Sequence, residues 1–319
     1  MKRTLKRLLI HMGVRALEAP TFERFHRNAT RNQRARALAK LAQEFGVKRM
    51  VAEGRFGEIT SDVADTTVFL SYAEDGVWAA ATNKLVEDFF GDNGFEGTYV
   101  DIGANIGLTT IPIAKNSKIK CYCFEPETRN FGNLSRNISS NIRTSNVQLF
   151  QLAVSDRESM LEFEVTEGNL GDQRIKGGSL GPSLLGEADR RSITVEARAL
   201  DDMGLQLADP LAVKIDVQGA EPFVIAGGRR SLSKAALLVL EYWPYGMGRL
   251  EAPVEILFSF LEQQFGSLEL VFKEGASSSP PAPVNDVIPE LRRYYEEHKL
   301  NPSFYLDIIA RKSSQKAGA

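Results

Sequence analysis

The stretch that decides the fold is "YVDIGANIGLTT", residues 99–110. A strand-like run stops at Asp101, and Gly103 and Gly107 follow at a spacing close to the G-x-G-x-x-G signature of dinucleotide-binding turns. Asn105 stands where that signature needs its second glycine, and Asp101 places a carboxylate beside the position of a pyrophosphate. The stretch therefore predicts a turn between a strand and a helix, but not a turn shaped for a phosphate ligand.

The same turn suits a ligand that carries positive charge. S-adenosylmethionine (SAM) has a sulfonium, an ammonium and one carboxylate, and it has no phosphate. The carboxylate of Asp101 can attract the two cationic groups. The backbone N–H groups of residues 103–107, at a helix N-terminus, can bind the carboxylate of the ligand. The mismatch to a dinucleotide site therefore favours SAM.

Beyond this turn, strand-like and helix-like segments alternate along the chain. Apolar runs predict strands at 98–103, 118–126, 146–156, 160–165, 192–200, 210–219, 235–244, 267–272 and 304–311. The alternation predicts an α/β fold with a doubly wound, mostly parallel sheet. Ligands bind such sheets outside the carboxyl ends of the strands, so the candidate residues come from the loops after residues 102, 124, 154, 217 and 241.

Acidic residues follow the next four strands of the predicted sheet. Glu125 can accept both ribose hydroxyls, in SAM and NAD proteins alike, and Asp156 can bind the adenine amino group or serve as a turn or helix-cap aspartate. Asp216 and Glu241 end the fourth and fifth strands, and Glu221 opens the helix between them. Crowded carboxylates are costly without a role. They can hold a divalent cation, orient an acceptor or take a proton, while Glu221 can also be a helix cap.

Four segments, "YVDIGANIG", "FEP", "AVSD" and "KIDVQGAE", resemble in order and spacing the FkbM family of SAM-dependent methyltransferases over roughly residues 95–245. The resemblance implies a class I, Rossmann-like fold with a seven-stranded sheet and an antiparallel last strand, for which residues 304–311 are the candidate. It implies methyl transfer to a hydroxyl, often on a sugar or a natural product. It implies SAM contacts at Asp101, Gly103, Asn105, Gly107 and Glu125, with Asp216 near the transferred methyl group.

The predicted catalytic residues are Asp216, Glu221 and Glu241. Methyl transfer from a sulfonium is an in-line displacement that the protein mainly aligns, but a hydroxyl acceptor also needs a base or a metal. Gln218 stands where commoner family members have Glu, which removes one possible ligand, and no metal is predicted. His298 lies in a charged helical segment and is expected at the surface. Asp216 is therefore the hypothesis for the base or the orienting group.

Charge is spread unevenly along the 319 residues: residues 1–55 carry a balance of +10 and the remainder a balance of −12. Four regions are predicted: a basic helical N-terminal extension at 1–55, a lead-in at 56–92, a methyltransferase domain at 93–312 and a disordered tail at 313–319. Within the lead-in, a strand is expected at 66–72 and a helix at 78–90. Residues 1–15 predict an amphipathic helix that either lies on an anionic membrane surface or packs on its own domain.

The protein is expected to be cytoplasmic, and peripheral contact with the inner face of the membrane is left open. No apolar run is long enough for a membrane span, and Cys121 and Cys123 are predicted to be reduced core residues. No nucleic-acid partner is expected, because the basic arm lacks interleaved aromatic residues and the body is acidic. The segment "DVQG" also lacks the Pro-Pro-aromatic pattern common in nucleobase and amide methylases. The oligomeric state is left open.

The acceptor is predicted to be a small molecule or a glycan: a sugar, or a glycosylated or lipid-linked metabolite. Four basic residues of the acceptor-side loop 167–191 either contact an anionic or sugar acceptor or form a solvated surface, namely Arg174, Lys176, Arg190 and Arg191. Three alternatives stay open. They are a methyltransferase of a small natural product, an NAD-dependent oxidoreductase, which Asp101 and Asn105 disfavour, and a SAM-binding membrane-associated protein without catalysis.

Overall fold

The fold is that of a computed structural model, in which residues 28–166, 168–178, 190–272 and 277–312 are described. The helices are α1 Arg31–Glu44, α2 Val68–Asp75, α3 Ala80–Asp92, α4 Thr110–Ala114, α5 Thr128–Asn141, α6 Glu221–Leu232, α7 Pro244–Arg249, α8 Val254–Gln264 and α9 Val284–His298. The strands are β1 Arg49–Gly54, β2 Gly57–Asp62, β3 Gly97–Ile102, β4 Ile119–Phe124, β5 Val147–Phe150, β6 Ala153–Val154, β7 Ser159–Val165, β8 Arg174–Ile175, β9 Arg191–Arg198, β10 Leu211–Ile215, β11 Leu237–Tyr242, β12 Ser267–Phe272, β13 Ser277–Ser278, β14 Ala282–Pro283 and β15 Leu306–Arg311.

One large sheet carries the fold, with its seven main strands in the order β12-β15-β11-β10-β3-β4-β5. The neighbours from β11 to β5 pair in parallel, whereas β15 pairs antiparallel with both β11 and β12. The two-residue strands β13 and β14 extend the outer edge at β12. The doubly wound sheet and its antiparallel last strand confirm the predicted class I fold.

The central strands are buried along their whole length, because helices cover both faces of the sheet. Successive residues alternate between two cores: Leu211 and Val213 pack in one, and Ala212 in the other. Cys121 and Cys123 lie in that second core as free, buried thiols, as predicted. Each fully buried Val, Leu or Ile contributes about 1.5–3 kcal/mol, which explains why near-continuous apolar runs form these strands.

A second, small sheet has the order β6-β9-β7-β8 and was not predicted as a separate unit. The prediction of one continuous strand at 146–156 is wrong, because the chain leaves the large sheet after Phe150 and re-enters strand structure in the small sheet at Ala153. Within the small sheet, β7 and β8 pair antiparallel, and the turn that joins them lies over the carboxyl edge of the large sheet.

Part of the N-terminal region differs from the prediction. Helix α1 is present and opens on a capping box between Thr30 and Gln33. The segment 49–54 is not helical; it pairs with β2 in a hairpin, and Asn137 of α5 binds Thr60 of that hairpin through both its amide nitrogen and its carbonyl oxygen. The hairpin is thereby attached to the domain built on the large sheet.

The segment 66–72 is also not a strand. Asp65 accepts hydrogen bonds from the backbone N–H groups of Thr67, Val68 and Phe69, and these bonds begin helix α2 in a β-branched sequence. The predicted helix at 78–90 is confirmed as α3. The predictions for residues 1–27 and 313–319 lie outside the described residues. Among the described helices, none combines the length and apolarity needed to cross a membrane.

Candidate active site

Two cavities adjoin at the carboxyl edge of the large sheet. The smaller lies against the ends of β3 and β4 and against the β7–β8 turn, and about 50 Å³ of it is open to the centre of a water molecule. The larger, of about 620 Å³, lies over β10, β11 and β15 and is covered by the segment that joins α2 to α3. Asn105, Gly171, Asp216 and Gln218 line both cavities, so these four residues mark the place where the two spaces meet.

The turn after β3 has three residues with positive φ: Gly103 at 83°, Asn105 at 51° and Gly107 at 94°. A Cβ on Gly103 would lie 1.9 Å from the backbone oxygen of Asp216, and a Cβ on Gly107 would lie 2.9 Å from Leu134 Cδ1. Both glycines are therefore needed for close packing of the chain itself. Gly103 lines the smaller cavity, whereas Gly107 lines neither.

Asp101 is fully buried, and the structure does not bring it to the surface of either cavity. Its Oδ2 accepts hydrogen bonds from the hydroxyls of Thr109 at 2.6 Å and Thr110 at 2.7 Å. Its Oδ1 lies 3.4 Å from Lys214 Nζ. The carboxylate thus holds the turn and the lysine and lines neither cavity. The direct SAM contact expected for it stays a prediction.

Lys214 is a residue of the site that sequence reasoning missed. It lies opposite Asp101 in the register of β10 and β3, and its Nζ donates to Gly103 O at 3.0 Å and lies 3.5 Å from Asp216 Oδ2. Burial disfavours the ammonium form, but the charges of Asp101, Asp216 and Glu241 outweigh it and raise the pKa of Lys214 above its ordinary value. A lysine inside the apolar run "PLAVKIDV" was the signal available in the sequence.

Asp216 and Glu241 come together as predicted, and Gln218 joins them. Gln218 Nε2 donates to Asp216 Oδ1 at 3.0 Å and to Glu241 Oε2 at 2.8 Å, so one amide bridges two carboxylates. Asp216 has a side chain 38% exposed. Burial first, and then the charge of Asp216, raise the pKa of Glu241 well above its ordinary value. In this group Asp216 is partly exposed and hydrogen-bonded, whereas Glu241 is a buried carboxyl that keeps its proton to higher pH.

Glu221 is fully buried at the first position of α6 and lines neither cavity. Its Oε1 accepts the backbone N–H groups of Val217 at 3.0 Å and Gly219 at 3.3 Å. Burial raises its pKa to about 7. The side chain closes the turn that carries Gln218, which precedes the helix; it does not cap α6, whose N-cap is Ala220, and it does not line the acceptor cavity.

Glu125 lies in the smaller cavity, as predicted. It accepts the backbone N–H groups of Asn105 at 3.0 Å and Glu127 at 2.9 Å, and burial raises its pKa to about 8. The other walls of this cavity are mostly apolar and include Phe124, Leu152, Val154, Leu170 and Ile175. Acceptor oxygens beside an apolar wall match a ligand that combines a flat heteroaromatic ring with hydroxyl and amino donors.

Asp156 is a further predicted site residue that lies away from both cavities. Its Oδ2 pairs with Arg157 at 3.0 Å and its Oδ1 accepts from Ser155 Oγ at 3.3 Å. Because the chain leaves the large sheet after Phe150, Leu152, Ala153 and Val154 reach the cavity in place of the aspartate. The predicted contact with adenine is therefore not supported by the geometry.

Two of the basic loop residues are neither solvated nor in contact with ligand space. Arg174 is fully buried between Asp172, at 3.2 Å, and Glu164, at 3.6 Å, and Arg190 also pairs with Asp172. Lys176 does lie at the surface, where it pairs with Glu162. The two arginines hold the small sheet together, and they leave Asp172 at the wall of the larger cavity.

Other predicted features can be placed in the same way. Arg191 is exposed at the start of β9. His298 is half-buried with its ring stacked on Phe304, and it lines neither cavity. In the part of the chain that the structure describes, no three or more His, Cys, Asp or Glu side chains are grouped to hold a metal.

Comparison with known proteins decides the family. Residues 101–272 match the methyltransferase FkbM domain. The chain belongs to the FkbM methyltransferases. It is 31% identical over 187 residues to the 2-O-methyltransferase NoeI of Sinorhizobium fredii (strain NBRC 101917 / NGR234), a match that covers 54% of this chain and 72% of that protein.

Solved structures share the fold only distantly. The chain resembles TYW2 of P. horikoshii in complex with MeSAdo at 14% identity and a TM-score of 0.41, over 92% of this chain and 86% of that one. It resembles the magnesium protoporphyrin IX methyltransferase ChlM of Synechocystis PCC 6803 with bound SAM at 11% identity and a TM-score of 0.38, over 74% and 79%. These scores are too low to inform the site.

SAM is the cofactor of this FkbM methyltransferase, and the residues present fit it. Two buried carboxamide oxygens on the wall of the smaller cavity, Asn105 Oδ1 and Asn130 Oδ1, have no hydrogen-bond partner among the described residues. An unpaired buried carbonyl costs about 1–3 kcal/mol, so a ligand with hydrogen-bond donors stabilises this wall. When bound, SAM supplies a methyl group on a sulfonium that is already activated for displacement.

Proposed function

We propose that this protein transfers the methyl group of SAM to a hydroxyl oxygen of a sugar, in a glycan or in a glycosylated or lipid-linked metabolite. The observation that carries the proposal is the position of Asp216, which lines both the smaller and the larger cavity and is held by Gln218 and Lys214. A carboxylate at the border between a cofactor space and an acceptor space is where a hydroxyl must be oriented and deprotonated. The name of the NoeI relative, a 2-O-methyltransferase, supports oxygen as the acceptor atom.

The lining of the larger cavity supports a sugar as the acceptor. Both tryptophans of the chain, Trp78 and Trp243, line it together with Tyr305. Asp172 and Asp307 lie on the same walls. Aromatic rings pack against the apolar faces of a sugar ring, and carboxylates accept hydrogen bonds from its hydroxyls. A cavity of about 620 Å³ has room for an acceptor of one or a few sugar units.

In the proposed mechanism Asp216 orients the acceptor hydroxyl and takes its proton as the oxygen attacks the methyl group in line with the sulfur. Its Oδ1 accepts from Gln218, which leaves Oδ2, 3.5 Å from Lys214 Nζ, for the acceptor. Lys214 also pairs with Asp101, so its ammonium is fixed beside Asp216. Glu241, bound to the same Gln218 amide, is the second carboxyl of the group and fixes that amide against Asp216. The proton that Asp216 takes leaves to solvent, since this side chain is 38% exposed.

The remaining predicted residues are assigned as follows in this proposal. Gly103, Asn105 and Glu125 contact SAM, since all three line the smaller cavity. Asp101 and Gly107 hold the turn after β3 and are positioning residues, and Glu221 holds the turn at residues 217–219 in the same way.

The N-terminal arm has a proposed role if the acceptor is lipid-linked. Residues 1–15 carry five Lys or Arg and no Asp or Glu, which suits contact with an anionic membrane surface at the cytoplasmic face. Pelleting with vesicles of phosphatidylcholine and phosphatidylglycerol tests this role. We expect the full chain to pellet at low salt and the chain without residues 1–27 to stay in the supernatant; equal pelleting contradicts it.

The proposed reaction is tested with SAM that carries a ¹³C-labelled methyl group. The protein is incubated with panels of oligosaccharides, lipid-linked sugars and glycosylated natural products, and products are followed by NMR together with release of S-adenosylhomocysteine (SAH). We expect a new methoxy signal on a sugar carbon. A product labelled on nitrogen or carbon, or SAH binding without methyl transfer to any hydroxyl of these panels, contradicts the proposal.

A further inference from the structure

Asn130 lies in the first turn of α5, on the wall of the smaller cavity, and only 1% of its surface is exposed. Its backbone N–H donates to Glu127 Oε2 at 2.8 Å, and its side-chain Nδ2 donates to the carbonyl oxygen of Leu170 at 2.9 Å. Its Oδ1 has no hydrogen-bond partner among the described residues. The side chain therefore uses its donor end within the protein and leaves its acceptor end unused.

Asn105, in the turn after β3, lines the same cavity and has the same arrangement. Its Nδ2 donates to the same Leu170 carbonyl at 3.0 Å, and its Oδ1 is likewise buried without a partner. A carbonyl oxygen has two lone pairs, so Leu170 satisfies one N–H of each carboxamide. Because each N–H₂ group is fixed to Leu170, the orientation of both amides is determined, and both Oδ1 atoms must point away from that carbonyl.

The turn that carries Leu170 is itself held in place. Gly168 O accepts from the backbone N–H of Thr66 at 3.2 Å and from its hydroxyl at 2.6 Å, and Asn169 Oδ1 accepts from Gly171 N at 3.1 Å. Leu170 is fully buried and lines the cavity. The carbonyl that orients the two amides thus belongs to an anchored segment, so the orientation is built into the fold.

Asn105 and Asn130 therefore each have an acceptor oxygen at the cavity wall that is unpaired within the described part of the chain, while one N–H of each carboxamide is used by Leu170. Glu125 lies in the same cavity, with one backbone N–H on each carboxyl oxygen. Hydrogen-bond donors of a ligand favour its charged form, in which both oxygens have further lone pairs. The complementary ligand is a group with several hydrogen-bond donors and an apolar plane. The adenosine portion of SAM has this chemistry: two ribose hydroxyls, an exocyclic amine and a flat purine ring.

We propose that Asn130 is a cofactor-binding residue whose Oδ1 accepts a hydrogen bond from the adenosine portion of SAM, and that the Leu170 carbonyl holds it in this orientation. Asn105 Oδ1, in the turn after β3, also accepts a hydrogen bond from the adenosine portion. The inference rests on SAM as the cofactor and is independent of the proposed acceptor, because adenosine recognition does not depend on where the methyl group goes.

The test is a set of binding measurements by calorimetry on the full chain, using SAH and three analogues that each change one donor. The 2′-deoxy and 3′-deoxy analogues lack one ribose hydroxyl, and S-inosylhomocysteine replaces the exocyclic amine with a carbonyl. We expect wild type to bind at least one analogue about tenfold more weakly than SAH. We expect Asn130→Ala to bind SAH about tenfold more weakly and to lose the discrimination against one of the analogues that wild type disfavours.

Asn137→Ala is the matched control. Asn137 is a buried asparagine of the same helix, but both ends of its amide are hydrogen-bonded, to Thr60 and to Ile106. Its replacement is expected to lower thermal stability and to leave the pattern of discrimination as in wild type. If Asn130→Ala does not fold, Asn130→Ser, whose hydroxyl is too short to replace the carboxamide oxygen, takes its place in the same comparison.

Two outcomes overturn the proposal. One is SAH binding by the Asn130 variant within twofold of wild type. The other is uniformly weaker binding with every discrimination retained, which would make Asn130 a residue that only shapes the cavity. Failure of the proposed sugar methylation is visible separately, as SAH binding with normal discrimination but no methylated hydroxyl.

Discussion

At the scale of single residues, the tightest contact of the site joins the turn after β3 to the end of β10. Gly103 has φ 83°, and an added Cβ would lie 1.9 Å from the carbonyl oxygen of Asp216. This contact explains why the first glycine of the motif is needed although SAM has no pyrophosphate. The glycine allows two strands to approach closely, and this approach brings Asn105 and Asp216 together at the site.

Gly103→Ala tests that role. The substitution combines a left-handed backbone with a steric overlap, and we expect it to lower the free energy of unfolding by about 2–4 kcal/mol. Urea unfolding measures the loss. Gly132→Ala is the control, because Gly132 is exposed within α5 and a Cβ there meets nothing within 4 Å. It should be neutral or stabilising by about 0.5–1 kcal/mol. Equal stability of the two variants contradicts the packing role of Gly103.

At the scale of elements, helix α2 depends on one side chain. Asp65 accepts three backbone N–H groups at the start of the helix, at distances of 3.0 to 3.2 Å, and its burial raises its pKa to about 6. Asp65→Ala leaves these donors without a partner. We expect a loss of about 1–2 kcal/mol in the free energy of unfolding, measured by urea denaturation at pH 7.

Asp62→Ala provides the comparison for α2. Asp62 lies at the end of β2, and its carboxylate accepts one backbone N–H, from Ala64, outside the helix. We expect it to cost less than Asp65→Ala. A larger loss at Asp62 than at Asp65 contradicts the capping role.

The same helix shows where sequence reasoning fails at this scale. The run 66–72 is β-branched and apolar, which predicts a strand, but three bonds to Asp65 fix the helical turn and tertiary packing decides the rest. By contrast, the strands that carry the motifs were predictable, because runs buried on both faces leave a near-continuous apolar signal. Residues 146–156 gave that signal too, although they form strands in two different sheets.

The site residues that lie at the ends of strands could be predicted from the sequence. Glu125 and Asp216 reach ligand space because each directly follows a parallel strand, and Glu241 because it is the second-last residue of one. Asp156 does not, because the end of its strand is at Phe150. Asn130 comes from a helix and Leu170 from a turn of the small sheet, so their meeting depends on tertiary structure that no local pattern encodes.

At the scale of the whole molecule, the fold divides the work between its two halves. Strands β3 and β4, with the small sheet, form the smaller cavity, whereas β10, β11, β15 and the α2–α3 segment form the larger one. Several carboxyls are buried along this border, and burial raises the pKa of Glu125 to about 8 and that of Glu221 to about 7. Stability must therefore depend on pH in a way set by the site.

Without SAM, we expect the free energy of unfolding to fall as the pH rises from 5 to 8. Between the ordinary glutamate value of 4.5 and about 8, the folded chain keeps a proton on Glu125 that the unfolded chain has lost, so raising the pH favours unfolding. The slope approaches about 1.4 kcal/mol per pH unit for each such proton. Because Glu221 and Glu241 also contribute, Glu125→Gln should reduce the slope by about that amount in urea titrations from pH 5 to 8; an unchanged slope contradicts the burial of a protonated Glu125.

The most direct measurement of the central claim compares wild type with Asp216→Asn on an accepted sugar substrate. The variant keeps the size of the side chain but cannot take a proton, so we predict that turnover falls about 100-fold or more while the SAH dissociation constant stays within about threefold. Asp202→Asn, at an exposed aspartate outside both cavities, should match wild type. Wild-type turnover by Asp216→Asn would contradict the account, as would a loss of turnover explained entirely by lost SAH binding.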